Sequence, residues 1–435
     1  MVICQFRSDH DLEILKVFNS MPNGLLFSHP TGSANARAAL AGLTEAGLLE
    51  KFCTTIAAYP GNVWGRLAQT RLGREFERRR YEDHLASKTL QHPWRELGRM
   101  LATRLRMSSL IRHETGTFCI DAIYRAQDRL AAGFLRSYPR NFSGVYTFED
   151  GALETLAAAR ELGLAGIYEL PIGYWRSARE LLKPEFDRMP NWSATLTGFK
   201  DSDAKLARKD AELARATKII LASSFTAHTL KSYQGKLAPT FVVPYGFPDV
   251  RPDNNTPAKS RNHSSPLRLL YVGSLSQRKG IGDVFAAVNQ LQSAVTLTVI
   301  GNKVTTDCPA LDRELAKHRW IPSLAHDKVL EQMRAHDVLV FPSLFEGFGL
   351  VITEAMSQGM PVVTTERTAG PDFINHGENG WLIKAGSTSE LTQQLEALVR
   401  DRRSVDDAGQ CARQTAATRP WSVYGLELAN AVTAS

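Results

Sequence analysis

Short apolar runs alternate with stretches of helical periodicity through most of the chain, and that alternation predicts a doubly wound parallel α/β architecture. In the first half GLLFS (24–28), TTIAA (54–58), GVYTF (144–148), AGIYEL (165–170), IILAS (219–223) and TFVVP (240–244) read as buried strands. Residues 62–135 break the rhythm: Arg-rich and mostly helical in pattern, they read as an insertion between early strands. Pro, Asn and Ser gather in YGFPDVRPDNNTPAKSRNHSSP (245–266), which has no apolar period and reads as a linker or surface loop. A fresh alternation follows: LRLLYVG (267–273), TLTVIG (296–301), RWIP (319–322), VLVFPS (338–343), PVVTT (361–365) and GWLIK (380–384). The chain is therefore expected to hold two doubly wound domains, residues 1–245 and 246–418. Ligands bind open α/β sheets at the carboxyl ends of the strands, so functional residues are sought just after strands, in the cleft between the domains.

Composition narrows this picture without redirecting it. A chain of 435 residues is too long for one comfortable core, and 43% hydrophobic with 22% charged residues is ordinary for a globular protein. No run approaches the ~18–20 apolar residues of a spanning helix. The opening MVICQFRSDHDLEILKVFN has early acids and no continuous apolar core, which argues against a secretory signal. The five cysteines (Cys4, Cys53, Cys119, Cys308, Cys411) are scattered and the eleven histidines dispersed, a pattern that fits a reducing cytoplasm and gives no support to a metal site.

The formal charge is +7, and Arg/Lys density is greatest in REFERRR (Arg74–Arg80) and along Arg95, Arg99, Arg104, Arg106 and Arg112. Solvated helix faces explain such a run, and so does an anionic ligand or an acidic membrane surface. No nucleic-acid module is recognisable, so nucleic acid is not expected as a partner.

The chemistry concentrates in FPSLFEGFGLVITEAMSQGMPVVTT (341–365). Between its first strand and the helix expected over 349–358 lies LFEGFG, where glycines at 347 and 349 expose backbone amides at a helix start, a setting that favours an anion. Glu346 precedes the helix, and Glu354 lies about one and a half turns into it, placed to accept from a sugar hydroxyl. A capping Glu and a solvated helical Glu explain the spacing equally well. The second element is LLYVGSLSQRKGIGDVF, where Arg278 and Lys279 follow a strand that ends at Gly273. A Lys there can neutralise a diphosphate.

YVGSLSQRKG, the 341–365 stretch and INHGENGWLI together resemble the donor-binding half of retaining glycosyltransferases of the GT-B fold, family 4 (glycosyl transferases group 1). ASSFTAHTL followed by VVPYGF resembles that family's exit from its N-terminal domain. WSVYGLELANAV resembles its terminal helix, which implies that 419–435 packs back on the N-terminal domain. The resemblance covers about 220–385. It implies two Rossmann-like domains facing across a cleft, with Lys279 and Arg278 on the donor diphosphate and Glu346 near the transferred sugar. Gly273 and Ser274, and the backbone of Gly347, Phe348, Gly349 and Leu350, would hold sugar and phosphate, and Glu354 the ribose. It implies neither a cofactor nor an obligatory metal.

This sequence departs from the family in three places. Ser274 stands where many members have an Arg. The region where a His is common reads IYELPIGYW, with Glu169 and Tyr174 instead. HPTGSANARAAL offers Gly32 but no Gly-Gly pair. These stretches make Gly32 and Glu169 acceptor-side candidates. Glu149 and Asp150 join them because in YTFEDGA (146–152) they follow a strand and open a helix, where a helix cap and dipole complement is the alternative. The Asp-x-Asp at Asp201–Asp203 lacks a preceding strand and reads as a helix cap.

The expected activity is transfer of a sugar, with retention, from a nucleotide diphosphate sugar to a saccharide or lipid-linked acceptor, as in cell-envelope or exopolysaccharide synthesis. Cytoplasmic residence is expected, with peripheral contact at an acidic membrane. A GT-B sugar-nucleotide epimerase and a non-catalytic nucleotide-sugar-binding protein are the rivals.

Overall fold

The computed structural model describes residues 24–70, 73–250 and 265–434. The N-terminal stretch with Cys4, the side chain of Arg74 and most of the 245–266 linker lie outside the described residues.

Two parallel sheets form the scaffold. The first has seven strands: β1 (Gly24–Ser28), β2 (Leu49–Thr54), β3 (Thr89–Gln91), β4 (Phe142–Phe148), β5 (Ala165–Leu170), β6 (Lys218–Leu221) and β7 (Thr240–Val242), in the order β3-β2-β1-β4-β5-β6-β7. The second has β8 (Leu267–Val272), β9 (Val295–Ile300), β10 (Arg319–Ile321), β11 (Val338–Phe341), β12 (Val362–Thr365) and β13 (Gly380–Ile383), in the order β10-β9-β8-β11-β12-β13. Every pairing is parallel. Central strands such as β11, buried at all four positions, are apolar throughout because helices cover both faces. In each sheet the strand order reverses once, between β1 and β4 and between β8 and β11, and such switch points open a crevice.

Two sequence expectations shift. The strand expected at 54–58 runs from Leu49 to Thr54, with Glu50 and Lys51 half-exposed in it. Ile56, Ala57 and Ala58 are buried in the loop beyond, where Thr55 Oγ1 donates to the Pro30 carbonyl, so the apolar run marks burial and not extension. Residues 62–135 are not solely helical: Thr89–Gln91 adds the edge strand β3.

Helices α1 (Ala34–Glu45), α2 (Trp94–Arg104), α3 (Ile120–Ser137), α4 (Asp203–Arg215), α5 (Leu350–Ser357) and α6 (Trp421–Thr433) bear on function. The terminal helix α6 lies on α1 of the first domain, where Gly42 and Gly425 meet so closely that a Cβ on Gly42 would come within 2.4 Å of the Gly425 Cα. Tyr424 and Leu428 are fully buried there, and Lys218 donates to the carbonyls of Ala431 and Val432 near the helix end. In return the segment after β5 reaches the second domain. Trp192 stacks on Phe285 in its core, and Arg188 forms paired bonds to Asp283 at 2.7 and 2.8 Å.

Candidate active site

The two switch points face each other across one cavity of about 540 Å3. His29 and Thr31 after β1, Glu149 and Asp150 after β4, Gly273 after β8, and Glu346, Phe348 and Gly349 after β11 all line it. Residues distant in sequence meet here because the parallel strands deliver their carboxyl ends to one place.

On the second domain, Gly349 takes a left-handed conformation at φ +87 and caps α5, a geometry that glycine adopts without steric cost. The amides of Gly347, Phe348 and Gly349 donate to no acceptor among the described residues, and Phe348 and Gly349 line the cavity. Phe348 is buried and packs on Tyr245 from the first domain, with ring centroids 4.7 Å apart.

Glu346 is paired with two cations of the neighbouring turn. Its carboxylate receives Lys279 Nζ at 2.9 Å and Arg278 Nη1 at 3.0 Å. Burial alone would raise its pKa, but Lys279 and then Arg278 outweigh burial and hold it at about 2. Arg278 does not itself line the cavity; its Nη1 also donates to the Phe345 carbonyl at 2.7 Å, which locks the two turns together. The Lys279 stem passes over Gly273, where a Cβ would lie 3.2 Å from its Cδ, and its ammonium sits 4.9 Å from the Phe341 ring centre. Ser274 stands aside from the cavity, its carbonyl accepting the Tyr271 hydroxyl at 2.9 Å.

Glu354 opens into an adjoining cavity of about 290 Å3, with His326, Pro248, Asp249 and Leu350. Leu350 lines both cavities. Burial raises the Glu354 pKa, although His326 lies 3.7 Å away and opposes the shift.

On the first domain the candidates divide. Glu149 and Asp150 line the cavity but are tied to α4: Lys209 Nζ lies 3.0 Å from Glu149 and 3.4 Å from Asp150, and Arg208 3.4 Å from Asp150. Asp150 is left-handed at φ +72, its N–H donated to Glu212, whose pKa burial and then Asp150 and Glu149 push up to about 8. Glu169 lies outside the cavity lining. It is fully buried and accepts from the Tyr146 and Tyr245 hydroxyls at 2.6 Å each and from Asn35 at 3.3 Å. Burial of a β5 carboxylate under three donors is what its strand position entails. Tyr174 is also buried, its hydroxyl on Asp210. Gly32 takes φ +63 in the turn after β1, beside the cavity and not in its wall.

The sequence reading missed His29. It is 5% exposed, and its Nδ1 accepts the N–H groups of Gly32 at 2.8 Å and Thr31 at 3.3 Å. Burial, and then Arg37, lower its pKa to about 3, so the ring is neutral. With Nδ1 accepting, Nε2 carries the proton, and it has no partner among the described residues. The signal was its place directly after the first strand.

Ser202 caps α4 with its hydroxyl, and Asp201 is bound by Lys205 at 3.1 Å. His113, Glu114 and Asp201 bring possible metal-ligating atoms together at the surface, but Lys205 and Ser202 already hold both carboxylates, Asp201 and Glu114 respectively.

Residues 253–415 match the family model described as glycosyl transferases group 1, which supports that assignment for the second domain. A glycogen synthase from Mycobacterium tuberculosis is 29% identical over 164 residues, 36% of this chain and 40% of that protein. The Staphylococcus aureus capsular polysaccharide biosynthesis glycosyltransferase CapM is 25% identical over 237 residues, 51% of this chain and 62% of that protein. The chain spans about two fifths of the length of the first curated relatives it matches. Among solved structures, a sucrose-phosphate synthase from Thermosynechococcus elongatus superposes with TM-score 0.66 at 15% identity, covering 94% of this chain and 98% of that one. Anabaena HepE in complex with UDP and glucose superposes with TM-score 0.60 at 16% identity, covering 94% and 99%. The fold is therefore GT-B, two Rossmann-like domains facing across a cleft. Among the described residues no helix is long and apolar enough to cross a membrane.

Proposed function

We propose that the chain transfers a sugar from a nucleotide diphosphate sugar to a saccharide or lipid-linked acceptor, with retention of configuration. The observation that carries this reading is Glu346, gripped by Lys279 and Arg278 beside the unused amides of Phe348 and Gly349 at the cleft between two switch points. Lys279 and those amides would stabilise the charge that builds on the leaving diphosphate. Glu346 would sit near the transferred sugar, and Glu354 in the adjoining cavity would bind the ribose. The bond from the anomeric carbon to the phosphate oxygen breaks, a bond to the acceptor oxygen forms on the same face, and the acceptor proton passes to the leaving phosphate. The matched family model and the relatives support transfer; the UDP and glucose held by the HepE structure support the donor class.

Lys279→Ala is expected to lower release of nucleoside diphosphate from donor by at least about a hundredfold, and Glu346→Gln comparably, as for loss of a group that stabilises transition-state charge. Turnover and donor binding unchanged in both variants would sink the assignment. Peripheral contact with an acidic membrane is part of the proposal. Trp94, Leu101 and Leu105 are exposed at helical spacing on and just beyond α2, with Arg95 and Arg104 beside them. Binding to vesicles should rise with anionic lipid content; binding indifferent to that content would remove this part of the reading.

A further inference from the structure

The Arg-rich stretch that interrupts the strand rhythm builds a second cavity, of about 550 Å3, next to the cleft. Thr31 lines both, so the two meet at the turn after β1. Four guanidinium groups, from Arg78, Arg79, Arg99 and Arg104, line this cavity. Glu96, fully buried behind them, accepts from Arg79 and receives both prongs of Arg99 at 2.9 and 2.6 Å. Arg79 Nη1 is enclosed and has no partner. Arg78 and Arg104 make no ion pair among the described residues. Glu75 is the one carboxylate on the lining, so four cations face two carboxylates and two positive charges remain in excess.

Unspent guanidinium donors around a polar cavity match the oxygens of a phosphoryl group, which they bind as planar forks. The donor diphosphate is not the guest, since its cation, Lys279, belongs to the opposite domain. We propose that this cavity holds a phosphoryl group of the acceptor, leaving its reacting hydroxyl to extend past Thr31 into the cleft. The inference rests on the glycosyl-transfer reading and sharpens it: the acceptor is a phosphorylated saccharide in solution or a saccharide on a polyprenyl phosphate.

Phosphate affinity of the intact chain tests this, with Arg78→Ala/Arg104→Ala as the variant. Both side chains are exposed and unpaired, so folding should survive their loss, and the melting temperature serves as the check. Arg79 is avoided because its removal would take one of two arginine partners from buried Glu96. Inorganic phosphate is titrated with and without a nucleoside diphosphate, followed by hexose phosphates in solution and by phosphatidylcholine vesicles carrying polyprenyl phosphate. The variant should bind inorganic phosphate at least about tenfold more weakly, at unchanged nucleoside diphosphate affinity. A preference for hexose phosphates or for the vesicles then identifies the source. Equal affinity in variant and wild type, or no binding of any phosphate probe to the wild type, overturns the proposal. If phosphate binding falls in the variant but no nucleoside diphosphate binds, the glycosyl-transfer reading fails while the anion site stands.

Discussion

Glu346 makes, through its ion pairs, a stability contribution that depends on pH. Its folded pKa of about 2 lies below the unfolded carboxylate value, so its ion pairs stabilise the protein fully above about pH 4.5. That stability is lost as pH falls from about 4.5 towards 2. Two and a half pH units amount to about 3 kcal/mol, an order-of-magnitude figure for a group this closely paired. Glu346→Gln should therefore be destabilised at pH 7, because Lys279 and Arg278 lose their counter-charge. The gap between variant and wild type should narrow through acid unfolding from pH 4.5 downward. A gap independent of pH would show that packing, and not the ion pairs, carries the difference. A nucleoside diphosphate should restore part of the loss, since its phosphates would supply the missing negative charge.

At the scale of elements, apolar runs reported strands well: AGIYEL and the strands of the second sheet start within a residue of their expected positions, the partly exposed edge strand β10 included. They failed where burial and extension part company, as at Ile56–Ala58, and at Thr89–Gln91, a three-residue edge strand with a single aliphatic residue set in the Arg-rich stretch. The glycine-flanked Glu346 turn was legible because its chemistry is local to one strand, turn and helix. The Arg density and the place of His29 after β1 were visible too, but not the cavity or the cleft they line, because these arise from residues joined only by strand order and by helix packing. Gly425 in α6 gives a test of such a contact. With the Gly42 Cα only 2.9 Å from a Cβ built there, Gly425→Ala must push α6 away from α1. Denaturant unfolding should show a loss of about 1–3 kcal/mol, the usual cost of overpacking. An undiminished midpoint would mean that the helix pair yields freely.

For the whole molecule, the decisive contact is the one that brings the two switch points together. The Gly347 carbonyl accepts hydroxyls from Ser223 and Thr226 of the first domain, the latter at 2.8 Å, and Phe225 packs edge-on to Phe345. Asp372 accepts the Ser224 N–H at 3.1 Å. Nothing in the turn's own domain requires glycine at 347, because its φ is not in the left-handed region. A Cβ there would instead lie 2.2 Å from the Pro171 carbonyl oxygen and 2.6 Å from the Ile172 Cα, both in the opposite domain. Gly347→Ala is thus a wedge between folded domains. It should enlarge the radius of gyration in solution scattering and reduce turnover, because an open cleft admits water and separates donor from acceptor. Nucleoside diphosphate affinity should fall much less than turnover, since Lys279 and Glu354 remain on one domain. Scattering and turnover both equal to wild type would show that the domains tolerate the wedge, and that this contact does not govern closure.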